Sequence, residues 1–224
     1  MKKLLSILLA ASMLFAIVGC SSSTPEPTPE PEPVVTREDS IPEPRDTSKT
    51  FVPSKDADPV ACELTSYAAD CSSVNATNLQ DWLGLDNVVY IDLRDYADYA
   101  KKHLRNFECI PYFAAIFNAD ANGADLPQLY SGSPAEPVAT YKESLDLIHA
   151  MFPTDKTIFL MCQSGGRVSQ CMTLLEKLGY DMTKIYNVGG MGQYTSPELA
   201  PYVTDNAELA INATYSFEGL TLAQ

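Results

Sequence analysis

An α/β fold with a central, mostly parallel sheet flanked by helices is predicted for residues 59–224, and three observations predict it. Apolar runs of strand length, Asn87 to Leu93 and Thr157 to Cys162, alternate with segments of helical period, Tyr141 to Phe152 and Val168 to Leu178. Gly84, Pro153 and Gly179 punctuate the connections. Around Cys162, a strand, a Gly-rich turn and a helix follow one another. That order places a site at the C-terminal end of a parallel strand.

The 224 residues allow one domain with appendages, and a hydrophobic fraction of 46% suffices for a core. A net charge of -14 and an isoelectric point near 4.4 argue against nucleic acid, because no Lys/Arg cluster exists to neutralise phosphates. Residues 1–19 read as a signal peptide: Lys2 and Lys3 lead an apolar stretch, Leu4 to Val18, too short for a confident membrane span. The end of this stretch, Ile17-Val18-Gly19-Cys20, resembles a bacterial lipobox. It implies lipidation of Cys20 and anchoring of the exported chain to the outer face of a bacterial membrane. Residues 20–58 are a disordered tether, rich in Pro, Glu and Asp, with too little apolar surface to order itself.

The folded region follows. In an exported chain Cys62 and Cys71 close a short loop as a disulfide, the alternative being two buried thiols. Asn75 or Thr77 caps a short helix through Leu79, Trp82 and Leu83, which ends at Gly84. The strand from Asn87 ends among Asp92, Leu93 and Arg94, and a short helix over Tyr96, Tyr99, Ala100 and Leu104 is expected next. Residues 112–140 are an insertion. Within it, the stretch Asn118 to Asp125 has oxygen ligands at alternate positions, Asn118, Asp120 and Asn122, as in a calcium loop, with Gly123 at the sixth position, but Leu129 stands at the twelfth. An Asn-Gly turn fits better, and no metal site is assigned. Tyr141 to Phe152 reads as an amphipathic helix with Leu145, Ile148 and Phe152 on one face. In the C-terminal extension, 196–224, Leu209 to Phe217 reads as an extra strand.

The chemistry centres on Cys162-Gln163-Ser164-Gly165-Gly166-Arg167. Loop amides and a helix N-terminus form an anion pocket there, and a cysteine in it has the setting of a thiolate. Arg167 supplies a fixed positive charge. Cys171, inside the following helix, is carried away from the loop and reads as buried packing, and Cys109 is a second candidate for a resolving thiol.

The loop resembles the active-site loop of the rhodanese family, whose pattern is C-x-x-G-x-R before a helix. Three further segments agree in order across about residues 75–195. Val89 to Asp95 resembles the family's strand ending in D-x-R. Tyr99 to Leu104 with Ile110-Pro111 resembles its "G-H-I … I-P" segment, and Leu178-Gly179-Tyr180 with Tyr186 to Tyr194 resembles its "G-G…W" ending. The resemblance implies a rhodanese-like fold, a catalytic role for Cys162 with Arg167, and a substrate-binding loop of Gln163, Ser164, Gly165 and Gly166. It places Asp92, Arg94 and His103 in supporting roles, with an Asp92–Arg94 ion pair. The departures are Lys102 for the Gly before His103, the rebuilt turn Arg105 to Cys109, Tyr194 for Trp, and a longer stretch between Pro111 and the loop strand.

The resemblance implies a sulfurtransferase that moves sulfane sulfur from a donor (thiosulfate, persulfide or polysulfide) to a thiol acceptor through a Cys162 persulfide, without metal or organic cofactor. Two alternatives remain: a non-catalytic rhodanese-like module that binds a partner or senses redox state, and an arsenate reductase or phosphatase. The C-x4-R spacing speaks against the last, since cysteine phosphatases wrap phosphate in a C-x5-R ring. The histidines, His103 and His149, are too scattered to support a Cys–His hydrolase.

Overall fold

Strand β1 (Val88–Asp92) and strand β6 (Thr157–Cys162) form the centre of the molecule, and every residue of β6 is buried. The computed structural model describes residues 49–53, 67–204 and 215–223. The expected signal peptide, lipidated Cys20 and most of the tether lie outside them, as do Cys62 and residues 205–214. In chain order after β1 come helix α1 (Tyr96–Lys101), the two-residue strands β2 (His103–Leu104) and β3 (Glu108–Cys109), and a π-helical turn, Tyr112–Ile116. A hairpin of β4 (Tyr130–Ser133) and β5 (Glu136–Ala139) precedes helix α2 (Ser144–Met151) and then β6. Helix α3 (Gly166–Lys177), β7 (Ile185–Gly190) and β8 (Val203–Thr204) complete the set.

The main sheet is parallel throughout, in the order β3-β1-β6-β7. Its apolar residues alternate between two cores, as the two-residue period of a strand requires. Ile91, Leu93, Ile158, Leu160, Cys162 and Ile185 share one core with Tyr112, Ile148, Phe152, Val168 and Leu175, from the π-helical turn, α2 and α3. Val88, Tyr90, Phe159, Met161, Tyr186 and Val188 share the other with Phe51, Leu79, Leu83 and Phe107. Both faces are covered, which is why β6 reads as a continuous apolar run rather than an alternating one.

Several expectations are adjusted. The segment after Asn75 is a single 3-10 turn, Leu79–Trp82, capped by neither Asn75 nor Thr77. Asn75 Oδ1 accepts instead from the Thr77 backbone. Leu104 leaves α1 for β2. On α2, Leu145 is exposed and Ser144 is buried in its place, because the Ser144 hydroxyl donates to the Leu129 carbonyl and pulls that edge of the helix inward. The calcium-like loop is an Asx turn in which Asn122 Oδ1 accepts from the Ala124 and Asp125 amides. Among the described residues no His, Cys, Asp and Glu group is arranged to hold a metal ion, and no helix is long and apolar enough to cross a membrane.

The described part of the expected extra strand, 215–217, has no strand structure. The chain beyond it forms a strap instead. Leu222 bridges Tyr141 in antiparallel sense, Ala223 donates to the Thr140 carbonyl at 3.0 Å, and the Phe217 ring lies parallel to Tyr141 at 5.9 Å. Earlier in the extension, β8 pairs with β2.

Candidate active site

Cys162 is the last residue of β6, where the sheet hands the chain to α3. Two glycine positions make this turn. Gly165 occupies the N-cap of α3 with φ 91°, a left-handed conformation that disfavours side chains, and its amide donates to Cys162 Sγ at 3.2 Å. Gly190, facing Cys162 across the sheet, has ordinary backbone angles and is needed for space: a Cβ there would overlap the Gln163 carbonyl. The sulfur therefore sits against a loop amide at the start of a twelve-residue helix, where both amide and dipole favour an anion. Cys162 is 1% exposed, whereas Gln163, Ser164 and Gly166 are open to solvent.

The loop is braced from β7. Asn187, a buried polar residue in an apolar strand, donates from Nδ2 to the Gly165 carbonyl at 3.2 Å and the Tyr67 carbonyl at 2.8 Å. Its Oδ1 accepts from the Gly189 amide at 3.0 Å, within a β-bulge between β6 and β7. Ser169 Oγ donates to the Tyr67 carbonyl as well. Asn187 and Ser169 were not singled out by the sequence reading. The signal available for Asn187 was a lone amide amid Ile185, Tyr186 and Val188, two residues before Gly189-Gly190.

Arg167 follows the loop but turns toward β1. Its Nη1 lies 3.5 Å from the Leu93 carbonyl and 3.9 Å from Asp95 Oδ2, and its guanidinium carbon is 5.8 Å from the Phe113 ring centre. Among the described residues, Nε and Nη2 of Arg167 have no protein partner, and the Cys162 sulfur is not one of its contacts. Phe113 is 45% exposed, on the π-helical turn that opens the insertion.

Asp92 and Arg94 form a buried pair: Nη2 and Oδ2 are 2.7 Å apart and Nε donates to both carboxylate oxygens. The remaining Arg94 donors reach the Lys102 carbonyl at 2.6 Å and the Asp98 carbonyl at 3.3 Å. The pair thus ties the end of β1 to the C-terminus of α1, where exposed carbonyls favour a cation. His103 lies outside the loop. Its Nδ1 is 2.8 Å from the Tyr99 carbonyl, its ring stacks on Tyr99 at 3.8 Å, and Thr204 Oγ1 contacts it. Cys162, the loop residues and Arg167 are contiguous in the chain, but the Arg167 guanidinium is directed to Leu93, Asp95 and Phe113 rather than to the sulfur. The side chains of Asp92 and Arg94 bond to each other and to the end of α1, and that of His103 to Tyr99 and Thr204, rather than to the loop.

Two further free thiols lie among the described residues, Cys109 and Cys171. Cys109 Sγ donates to the Arg94 carbonyl at 3.2 Å, and burial, with the nearby Asp92 and Asp95 charges, pushes its pKa up to about 12. Cys171 is fully buried, and burial pushes its thiol up further. Both are held protonated, which suits neither to the part of resolving nucleophile. Cys71 is disulfide-bonded, while Cys62, its expected partner, lies outside the described residues.

The chain is 26% identical over 123 residues to the Arabidopsis thaliana rhodanese-like domain-containing protein 9, chloroplastic; the match covers 51% of each. The chain thus spans about half the length of that curated relative. A solved rhodanese with anions from E. coli is 18% identical, with 49% of this chain and 94% of that one covered at a TM-score of 0.31. The rhodanese-like domain of an Anabaena protein, solved by solution NMR, is 14% identical, with 63% and 81% covered at a TM-score of 0.37. The model of the rhodanese-like domain matches residues 75–196, a span that runs from the turn before β1 past the brace on β7, and the chain belongs to the rhodanese-like domain family.

Proposed function

We propose that this protein is a sulfurtransferase that carries sulfane sulfur on Cys162. The observation that carries the reading is the 3.2 Å contact from the Gly165 amide to Cys162 Sγ, at the N-terminus of α3. That donor stabilises a thiolate before transfer and a persulfide anion after it. In the first half-reaction the Cys162 thiolate attacks the outer sulfur of a donor R–S–SH. A new S–S bond forms at Cys162, the donor's S–S bond breaks, and R–S⁻ leaves. In the second, an acceptor thiolate attacks the outer sulfur of the Cys162 persulfide and regenerates the Cys162 thiolate. No electrons are gained or lost overall. The membership of the family supports the reading, and the acidic chain disfavours a dianionic donor such as thiosulfate relative to a less highly charged organic persulfide.

The protein acts, in this proposal, outside the cytoplasm, anchored through lipidated Cys20. A disulfide at Cys71 supports an oxidising compartment. The test is mass spectrometry of the full chain after exposure to polysulfide or thiosulfate, beside Cys162→Ser. A gain of one sulfur on Cys162, removed by added thiol and absent from the variant, is expected. A folded protein with a free Cys162 that gains no sulfur from any donor refutes the proposal. It would favour the second reading, a module that binds or senses rather than turns over. The near-complete burial of Cys162 is the observation on that side.

A further inference from the structure

We propose that Asp95, Arg167 and Phe113 form a subsite for the α-amino-acid end of a zwitterionic persulfide. This inference rests on the sulfur-transfer reading and names the donor class.

Three features converge on it. First, Asp95 occupies the N-cap of α1, yet its carboxylate accepts no hydrogen bond from that helix. It is 55% exposed and lies 3.9 Å from Arg167 Nη1, at the outer limit of an ion pair. An aspartate at an N-cap ordinarily satisfies the helix amides, whereas this carboxylate faces Arg167 and solvent. Second, Arg167 has two donor nitrogens without a protein partner among the described residues, although it is 21% exposed. A guanidinium with open donors matches a carboxylate in a planar fork. Third, Phe113 is 45% exposed with its ring beside the same guanidinium. It offers an apolar wall for a methylene.

The charges decide the ligand. Arg167 alone would favour an anion, but Asp95 beside it makes the local sum zero, so a dianion gains little. A ligand that carries an ammonium and a carboxylate on one carbon matches both groups at once, with its methylene against Phe113. Arg167 ends the six-residue loop that begins at Cys162, and the proposal requires the sulfur chain of the ligand to reach that cysteine along the loop. The cysteine-type persulfide R–S–SH fits this description, and R–S⁻ leaves as the amino-acid thiolate.

The test measures Cys162 loading rates by mass spectrometry on the full chain with four donors. These are cysteine persulfide, 3-mercaptopropionate persulfide (no ammonium), cysteamine persulfide (no carboxylate) and inorganic tetrasulfide. Cysteine persulfide should load about tenfold faster than either truncated donor, the scale of one charge-assisted hydrogen bond. Asp95→Asn should abolish the preference over the donor without ammonium and retain that over the donor without carboxylate. Asp95→Glu should restore part of the lost preference. Equal rates for the three organic donors, or a preference over the donor without ammonium that survives Asp95→Asn, would overturn the subsite while tetrasulfide loading upholds sulfur transfer. Failure of all four donors to load Cys162 would overturn both.

Discussion

Asp92→Asn changes one atom in a side chain with no solvent exposure, and its cost can be worked from the contacts. Asp92 and Arg94 are 0% and 3% exposed, and the guanidinium gives the carboxylate hydrogen bonds from Nε and Nη2. The variant leaves a buried cation facing a neutral amide. Breaking a buried pair from one side costs about 3–5 kcal/mol. Arg94 keeps the Lys102 and Asp98 carbonyls, and Asn retains one acceptor oxygen, so the lower end applies: about 3 kcal/mol. For a domain of this size that lowers the melting temperature by about 6–12 °C. In urea the midpoint falls by about 1.5 M for a typical slope. Urea unfolding of the variant, with Arg94→Met and the double variant, measures the pair directly. The double variant should cost clearly less than the sum of the singles. A loss below about 1 kcal/mol for Asp92→Asn would refute the reasoning, because the two carbonyls of α1 would then suffice to hold the guanidinium.

Three further outcomes are expected. Gly190→Ala drives a methyl into the Gln163 carbonyl, so it should cost about 1–3 kcal/mol and slow sulfur loading of Cys162; unfolding curves and loading kinetics check both, and an unchanged loading rate would count against the packing role. The Cys109 thiol is raised to about 12 in the fold, so the folded state holds its proton where the unfolded chain has lost it. Its contribution to stability is full below about pH 8.5 and fades as pH rises toward 12, and Cys109→Ala should flatten the alkaline limb of a stability–pH curve. Deletion of residues 215–223 removes the strap from Tyr141 and the Thr140 carbonyl. It should speed proteolysis between residues 118 and 139, while cleavage at an unchanged rate would show the hairpin independent of the strap.

The long elements were the most legible in the sequence. β6 and α3 carry long apolar or periodic runs that no other arrangement satisfies, and Gly179, with φ 90°, marks the end of α3 as a glycine there should. Short elements were less so. β2, β3 and β8 span two residues each and owe their existence to partners distant in the chain, such as Leu104 with Val203. The hairpin of β4 and β5 turns through Pro134-Ala135 and carries Pro137 in its second strand, both unlike a hairpin signal. In the site, Cys162 and its loop stood out because glycines and arginine cluster in six residues. Asn187, Asp95 and Phe113 come from three other segments, and only the fold brings them to the loop.

The π-helical turn at Tyr112–Ile116 has a consequence for how this mouth can change. Its wide turn is closed by the Phe117 amide on the Tyr112 carbonyl at 2.9 Å, five residues back, next to an ordinary helical bond from Ala115 to Pro111. Such a turn holds one residue more than an α-turn would. Removing one residue from it would swing the exposed ring of Phe113 around the helix axis by about a quarter turn, with no side chain altered. Chain length, rather than residue identity, is thus a tuning variable at this entrance. A one-residue indel would re-aim the exposed ring beside Arg167 while leaving Cys162, Arg167 and the sheet unchanged in sequence.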